Sequence, residues 1–245
     1  GYKGSVLIPK LLKAGHEITS FDTNWFGNYL QNSNNLTQIN GDIRDLENLS
    51  LKGFDTIIHL ANVANDPAVE LNPTMSWEIN VLAGHQLIEK AIKENVKHFI
   101  FASSGSVYGI KEEAKVTEDL SLVPISTYNK TKMIAERVFM SYSSNIKFHS
   151  IRPATVCGLS PRMRLDVAVN LLTFQALTKG KITVLGGTQV RPNIHIDDIC
   201  DVYLHLISNY ENIASGFYNA GFENISILDI ANLIQSKIKC SIEIK

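Results

Sequence analysis

The run Thr56-Ile57-Ile58-His59-Leu60-Ala61 is nearly all apolar. A strand with one face in water alternates apolar and polar residues, and this run does not, so it reads as a strand covered on both faces. Two further strands are expected before it, at residues 16–21 and 36–40, the strand itself covering 55–60. Ahead of all three, Val6, Leu7, Ile8, Leu11 and Leu12 recur at helical spacing over residues 5–14, with Gly15 as a C-terminal cap. Pro9 falls inside that helix, removes a backbone donor and allows a kink.

The same rhythm continues downstream. A long amphipathic stretch over 74–95 leads to a strand at 97–102, a helix at 127–143 and a strand at 147–151. Strands alternating with helices imply an α/β fold, a doubly wound parallel sheet of Rossmann-like form, over residues 1–152. After Pro153 the rhythm loosens: a helix at 166–179, strands at 181–185 and 193–196, a helix at 197–208, a strand at 217–220, and a helix from its N-cap Ser226 to residue 237. Residues 153–245 read as a smaller C-terminal substrate-binding lid, interleaved with the main sheet.

Bulk properties narrow the function. The 245 residues suffice for a sizeable core, and 44% hydrophobic with 19% charged residues is ordinary for a soluble globular chain. A formal net charge of -1 gives no reason to expect nucleic acid or an anionic membrane surface as partner. No apolar run approaches the roughly 20 residues that span a bilayer. Cys157, Cys200 and Cys240 are widely spaced and form no C-x-x-C pair, which fits reduced thiols in the cytoplasm. The opening on Gly1 and the apolar close Ser241-Ile242-Glu243-Ile244-Lys245 read as the two ends of a fragment.

Chemistry concentrates at strand ends. Gly1 and Gly4 precede the first helix, where a backbone must approach a pyrophosphate closely and the helix N-terminus faces its charge. Asp22 ends the next strand, placed to accept from a ribose hydroxyl and to repel a 2'-phosphate, which favours NAD over NADP; its bland reading is a solvated turn. Asp42, in Gly41-Asp42-Ile43-Arg44-Asp45, could meet an adenine amino group or cap a helix. Leu60 and Ala61 are small enough for a cofactor to lie against the sheet edge. Tyr128 and Lys132 sit four apart on one helix face, where a cation lowers a phenol's pKa and makes it a base; a surface pair is the alternative. Upstream, Ala102-Ser103-Ser104-Gly105-Ser106-Val107-Tyr108-Gly109 leaves a buried strand at its C-terminal end, the ligand-binding side of open α/β sheets, unless it is only a serine-rich turn.

Phe101 to Gly109 followed by Tyr128-x-x-x-Lys132 resembles the NAD-dependent epimerase/dehydratase family. The resemblance takes in His59-Leu60-Ala61, Ile79-Asn80-Val81, Arg152-Pro153-Ala154-Thr155-Val156 and Arg191-Pro192-Asn193-Ile194-His195-Ile196-Asp197-Asp198. It implies that Gly1, Gly4, Asp22, Asp42, Ile43, Leu60, Ala61, Asn80, Ser103 and Pro153 line an NAD cofactor. It makes Tyr128 the base, Lys132 the holder of the nicotinamide ribose, and Ser104 the catalytic hydroxyl with Ser106 one pleat further on. Thr155, Asn170 and Arg191 would contact the nucleotide-diphosphate sugar, Arg191 through the diphosphate. The stretch Ser160 to Asp166 resembles a subgroup of nucleotide-sugar epimerases and reductases. Where the family's dehydratases carry an Asp-Glu pair, this chain has Gly105 and Ser106, which counts against dehydration. The family's first strand and its C-terminal portion have no counterpart here, so the fragment is expected to bind NAD poorly or be inactive.

A 4-epimerase with tightly bound NAD is the leading expectation. A net C4 oxidoreductase on the same site is its rival, and a non-catalytic dinucleotide sensor a third reading. Relatives pair the helices around 75–93 and 127–143 in a four-helix interface, which implies a homodimer.

Overall fold

The computed structural model describes residues 1–113 and 115–245. Its elements in chain order are α1 (Gly4–Lys13), β1 (Ile18–Asp22), β2 (Leu36–Asn40), β3 (Thr56–His59), α2 (Asp66–Leu71), α3 (Pro73–Trp77), α4 (Gly84–Lys93), β4 (His98–Ala102), α5 (Thr127–Met140), β5 (Lys147–Pro153), β6 (Thr155–Cys157), α6 (Ala168–Lys179), β7 (Lys181–Val184), β8 (Val190–His195), α7 (Ile196–Asn209), β9 (Gly216–Ala220), β10 (Glu223–Ser226), α8 (Ile227–Gln235) and β11 (Ser241–Ile244).

The fold is organised around β4, which is buried at every position. Side chains alternate across a strand, so its two faces feed two cores. Phe99 and Phe101 join Ile79, Leu87, Phe139 and Phe148 beneath the helices α4 and α5. Ile100 and Ala102 join Leu7, Leu11, Ile151, Ile199 and Tyr203 beneath α1 and α7. The sheet runs β3-β4-β5-β9, all parallel, with Ile57 opposite Phe99, Ile100 opposite His149 and Ser150 opposite Phe217. That is the doubly wound α/β architecture expected from the alternating elements.

The strand expected over residues 55–60 is less covered than its apolar run implies. β3 is only half-buried up to His59, because β1 pairs with β2 alone and no strand among the described residues joins it to β3. A slot separates the two edges, with Ile18, Ser20 and Phe21 on one side and Ile57, Ile58 and Leu60 on the other. Nor is the stretch 74–95 one helix. Asn72 ends α2 and caps α3 by accepting from Met75 N–H at 3.0 Å. Residues Glu78–Ala83 are then wound as a π-helix before α4. The wide turn has a packing cause: Asn80 is fully buried and reaches sideways to Val63 N and Thr131 Oγ1, at 2.8 and 3.1 Å. Gly84 follows where a Cβ would stand 2.9 Å from His59 Nε2 and would also strike the Phe139 ring. α1 passes through Pro9 and continues to Lys13.

The second half is interleaved with the first, since β9 supplies the fourth strand of the main sheet. The division expected after residue 152 falls one residue inside β5. Beyond it, β6, β8 and β10 form one small sheet, β7 and β11 another, and α6 and α8 pack on the latter around Leu172, Ile182 and Ile230.

Two buried polar constructions fix β4 and β5. Arg152, 2% exposed, meets the fully buried Glu136 of α5 through Nε at 2.9 Å and Nη2 at 2.8 Å, and Nη1 donates to Tyr108 Oη at 2.7 Å. Its guanidinium lies 4.6 Å from the Phe217 ring centre and 4.9 Å from that of Tyr108. Removing one partner strands a charge, so Glu136→Ala should lower unfolding free energy by about 3–5 kcal/mol, read from denaturant midpoints at unchanged m-value.

The other construction is a chain of neutral imidazoles. Ile213 O can only accept, so His149 Nε2 donates to it at 3.3 Å, leaving Nδ1 to accept from His98 Nε2 at 2.7 Å; Thr56 Oγ1 closes the chain at His98 Nδ1, 3.4 Å away. Burial, then the charges of His149 and Lys147, pull His98 down to about 3, and His149 is lowered chiefly by burial. The unfolded histidines bind protons first as pH falls, so stability should drop from about pH 6.5 downward by roughly 1.4 kcal/mol per pH unit for each histidine. Melting curves across this range should show a shallower acid loss in His98→Phe than in the wild type.

Candidate active site

A cleft lies at the C-terminal ends of the strands. That is where open α/β sheets bind ligands, because the chain turns away in opposite directions there. Gly1, Tyr2, Lys3 and Gly4 bring the N-terminus of α1 to it, and neither glycine has another atom within 4 Å of where a Cβ would be. Ser5, Val6 and Leu7 N–H already bond to the carbonyls of Gly1 and Lys3, at 3.0, 3.1 and 2.9 Å, so it is the helix dipole that favours an anion at this end. Asp22 closes β1, with Oδ1 accepting from Asn24 N–H at 2.8 Å and Oδ2 lying 3.5 Å from the Gly1 nitrogen. Ile43, Leu60, Ala61, Ser103 and Pro153 continue the lining. Ser103 is 3% exposed, and its hydroxyl has no hydrogen-bond partner within the chain. A dinucleotide fits this wall: close-approach glycines, an acid at the strand end, a lone buried hydroxyl and small apolar side chains.

The reactive groups come from two elements. After Ala102 the chain leaves β4, and a 3₁₀ turn spans Gly105–Tyr108. Ser126 caps α5 by accepting from Asn129 N–H at 3.2 Å, which places Tyr128 in the first turn. Ser104 and Ser106 join at 2.7 Å, and the Tyr128 phenol sits against Ser104. Thr155 and Arg191 line the opposite side, on β6 and β8.

The structure does not bring every expected residue to the cleft. Asp42 instead binds its neighbour Arg44 with both oxygens, at 2.7 Å to Nη2, a pairing that holds its carboxyl below the usual range. Asn80 is turned under the wall, tied to Val63 and Thr131. Asn170 is buried by α6, where it accepts from Gly158 N–H at 2.9 Å and donates to Arg164 O at 2.9 Å and to Tyr2 Oη at 3.2 Å. Lys132 shares a face with Tyr128, as the spacing required, but is 3% exposed and donates from Nζ to Ala102 O at 2.7 Å.

The electrostatics also differ from the sequence expectation. Burial pushes the Tyr128 phenol up to about 12; the charge that most opposes this is the Arg164 guanidinium, followed by the Ser104 hydrogen bond, with Asp66 raising it. Burial first, then Lys3, depresses the Lys132 ammonium well below its ordinary value. Arg164 is itself anchored by Asp166, which accepts from Asn65 Nδ2 at 2.6 Å. Lys3, Arg162, Arg164 and Arg191 line the cleft beside Asp22, Asp66 and Asp166, which leaves Lys3, Arg162 and Arg191 as cations able to meet an anionic ligand. Arg164 lies within the stretch 160–166 already singled out, but only the fold brings it beside a tyrosine 36 residues earlier.

The model of the NAD dependent epimerase/dehydratase family matches residues 1–221. Among curated proteins, an uncharacterized UDP-glucose epimerase, YtcB, of Bacillus subtilis is 32% identical over 254 residues, covering 96% of this chain and 78% of the relative. The UDP-glucose 4-epimerase of Lactobacillus helveticus is 26% identical over 260 residues, covering 96% and 79%. Among solved structures, a mutant UDP-glucuronic acid 4-epimerase from Bacillus cereus, in complex with UDP-4-deoxy-4-fluoro-glucuronic acid and NAD, is 28% identical with a TM-score of 0.86, covering 100% of this chain and 83% of that one. MoeE5 in complex with UDP-glucuronic acid and NAD is 26% identical with a TM-score of 0.87, covering 100% and 82%. The match of 221 residues agrees with the sheet, the glycine-led helix and the serine–tyrosine pair: the chain belongs to the NAD-dependent epimerase/dehydratase family.

Proposed function

We propose that this chain is a nucleotide-sugar 4-epimerase working with bound NAD, in which residues 1–152 cradle the cofactor and residues 153–245 the sugar nucleotide. The observation that carries the proposal is Tyr128 against Ser104 in a cleft walled by the N-terminus of α1 and by Arg191. Relatives of 26 and 32% identity named as UDP-glucose epimerases support it over almost the whole chain. When bound, NAD supplies the acceptor and donor of the C4 hydride.

The chain's own residues do the rest. Gly1 and Gly4 let the pyrophosphate approach the helix N-terminus, and Asp22 accepts from the adenosine ribose. Tyr128 takes the proton of the C4 hydroxyl and later returns it, while Arg164 favours its phenolate form. Arg191 pairs with the diphosphate and holds the nucleotide while the sugar presents its other face. Lys132 ties the base-bearing helix to the end of β4. Gly105 and Ser106, at the positions of the dehydratases' acid pair, offer no carboxyl there to expel a sugar hydroxyl.

A homodimer and a cytoplasmic setting belong to the same proposal. The segments that would pair, residues 74–95 and α5, leave Trp77, Leu82 and Ile134 exposed at 37, 53 and 36%. No helix among the described residues is long and apolar enough to cross a membrane.

With NAD and UDP-glucose, the wild type should form the 4-epimer with no net rise at the NADH absorbance band; accumulation of NADH without epimer would instead mark a net oxidoreductase. Tyr128→Phe should cut turnover by about 10²–10⁴-fold with an unchanged melting temperature, and turnover at the wild-type rate would remove Tyr128 as the base.

A further inference from the structure

Residues 158–166 belong to the second half of the chain, yet they are fastened to the first half at three places. At their base, Ser160 Oγ donates to Tyr2 O at 2.9 Å, and Tyr2 Oη donates to Gly158 O at 2.8 Å. Further along, the Arg162 guanidinium lies 3.9 Å from the centre of the Phe26 ring. At the far end Asp166 Oδ2 accepts from Asn65 Nδ2 at 2.6 Å. Tyr2 stands between Gly1 and Gly4, Phe26 four residues after Asp22, and Asn65 four residues after Ala61. The segment is therefore held at the α1 terminus, beyond the end of β1 and beyond the end of β3. Tyr2, Phe26, Asn65, Arg162 and Asp166 all line the cleft.

These fastenings are of two kinds. The base is buried: Ser160 is 4% exposed, and the equally buried Asn170 donates to Arg164 O at 2.9 Å. The outer two contacts are open to water, with Phe26 60% exposed and the Asn65–Asp166 bond at the surface. Contacts of that kind are weak enough to break and remake. A hinge and two clasps result.

An enzyme that inverts C4 through a 4-keto sugar must keep the reduced dinucleotide until the hydride goes back. If it leaves early, C4 has given a hydride to the dinucleotide and a proton to Tyr128, and neither returns. We propose that residues 160–166 are a strap held over the dinucleotide by two clasps, Phe26 with Arg162 and Asn65 with Asp166, and that these clasps keep the cofactor for the return step. The inference rests on reading the cleft as an NAD site. Phe26 and Asn65 are positioning residues, acting through the strap.

The test follows NADH on and off this chain by its fluorescence in rapid mixing, with trypsin as a second probe. Phe26→Ala empties one clasp and removes no charge that an anionic ligand would miss. Asn65→Gly empties the other. Glycine accepts the backbone that Asn65 adopts, φ 72°, and is tolerated as the N-cap of α2, so that helix is kept. Opening of the strap serves entry and exit alike, so association and release should both accelerate, by about threefold or more in each variant, with Kd changed much less. A lost direct contact would speed release alone. Trypsin should cut faster after Arg162 and Arg164 in both variants, and NADH should slow that cut in the wild type. Given NAD and UDP-glucose, both variants should release more NADH per epimer formed than the wild type does. Unchanged rates in both variants, or faster release at unchanged association, would overturn the proposal. A wild type that binds no NADH, and is cut alike with and without it, would remove the NAD reading of the cleft and the strap's role together.

Discussion

A single buried hydrogen bond, from Lys132 Nζ to the carbonyl of Ala102, governs the geometry of the site. Ala102 is the last residue of the fully buried strand, immediately before the serines. Lys132 lies one helical turn after Tyr128, on the same face of α5. The bond therefore ties the helix that carries the phenol to the backbone that carries the hydroxyls, and neither can shift without the other. An ammonium in such a place is costly to desolvate, and its proton affinity is depressed accordingly. The ring of Phe101, 4.6 Å from Nζ, compensates in part. The carbonyl it binds needs a donor whatever its charge, so the tether survives titration of the amine.

Much of the fold was legible because parallel sheets write a strong signal. Buried strands are rich in apolar residues and helices recur between them, so β4, α5 and β5 could be placed to within a few residues. What local patterns could not carry was decided by contacts distant in the chain. The π-helical segment 78–83 exists because Asn80 reaches Val63 and Thr131, and no periodicity within 74–95 contains those partners. β6 and β10 are short and take their pairing from β8. The half-covered state of β3 depends on what stands at its outer edge, which its own residues could not report.

The site divides along the same line. Residues tied to an element's end, Gly1, Gly4, Asp22, Ser104 and Tyr128, reach the cleft because strand and helix termini converge there. The other expected residues divide: Thr155 and Arg191 line the cleft, while Asp42, Asn80 and Asn170 are occupied by Arg44, Val63 and Gly158. A carboxylate or amide with a protein partner this close is already satisfied, and sequence spacing gives no notice of it. Lys132 Nζ lies 5.9 Å from the centre of the Tyr128 ring but is committed to the Ala102 carbonyl; the Arg164 guanidinium, braced by Asp166, is the charge that pulls the phenol's pKa down.

The pairing of β5 with β9 bears on how the molecule is made. Ser150 meets Phe217 across that ladder, so the outer edge of β5 stays open until the ribosome has delivered most of the chain. Through that interval an edge of free amides and carbonyls is offered to any neighbouring nascent polypeptide. Contacts so far apart in sequence also slow closure. Exposure of that edge during synthesis is thus a cost of building the floor of the cleft from strands gathered across both halves of the chain.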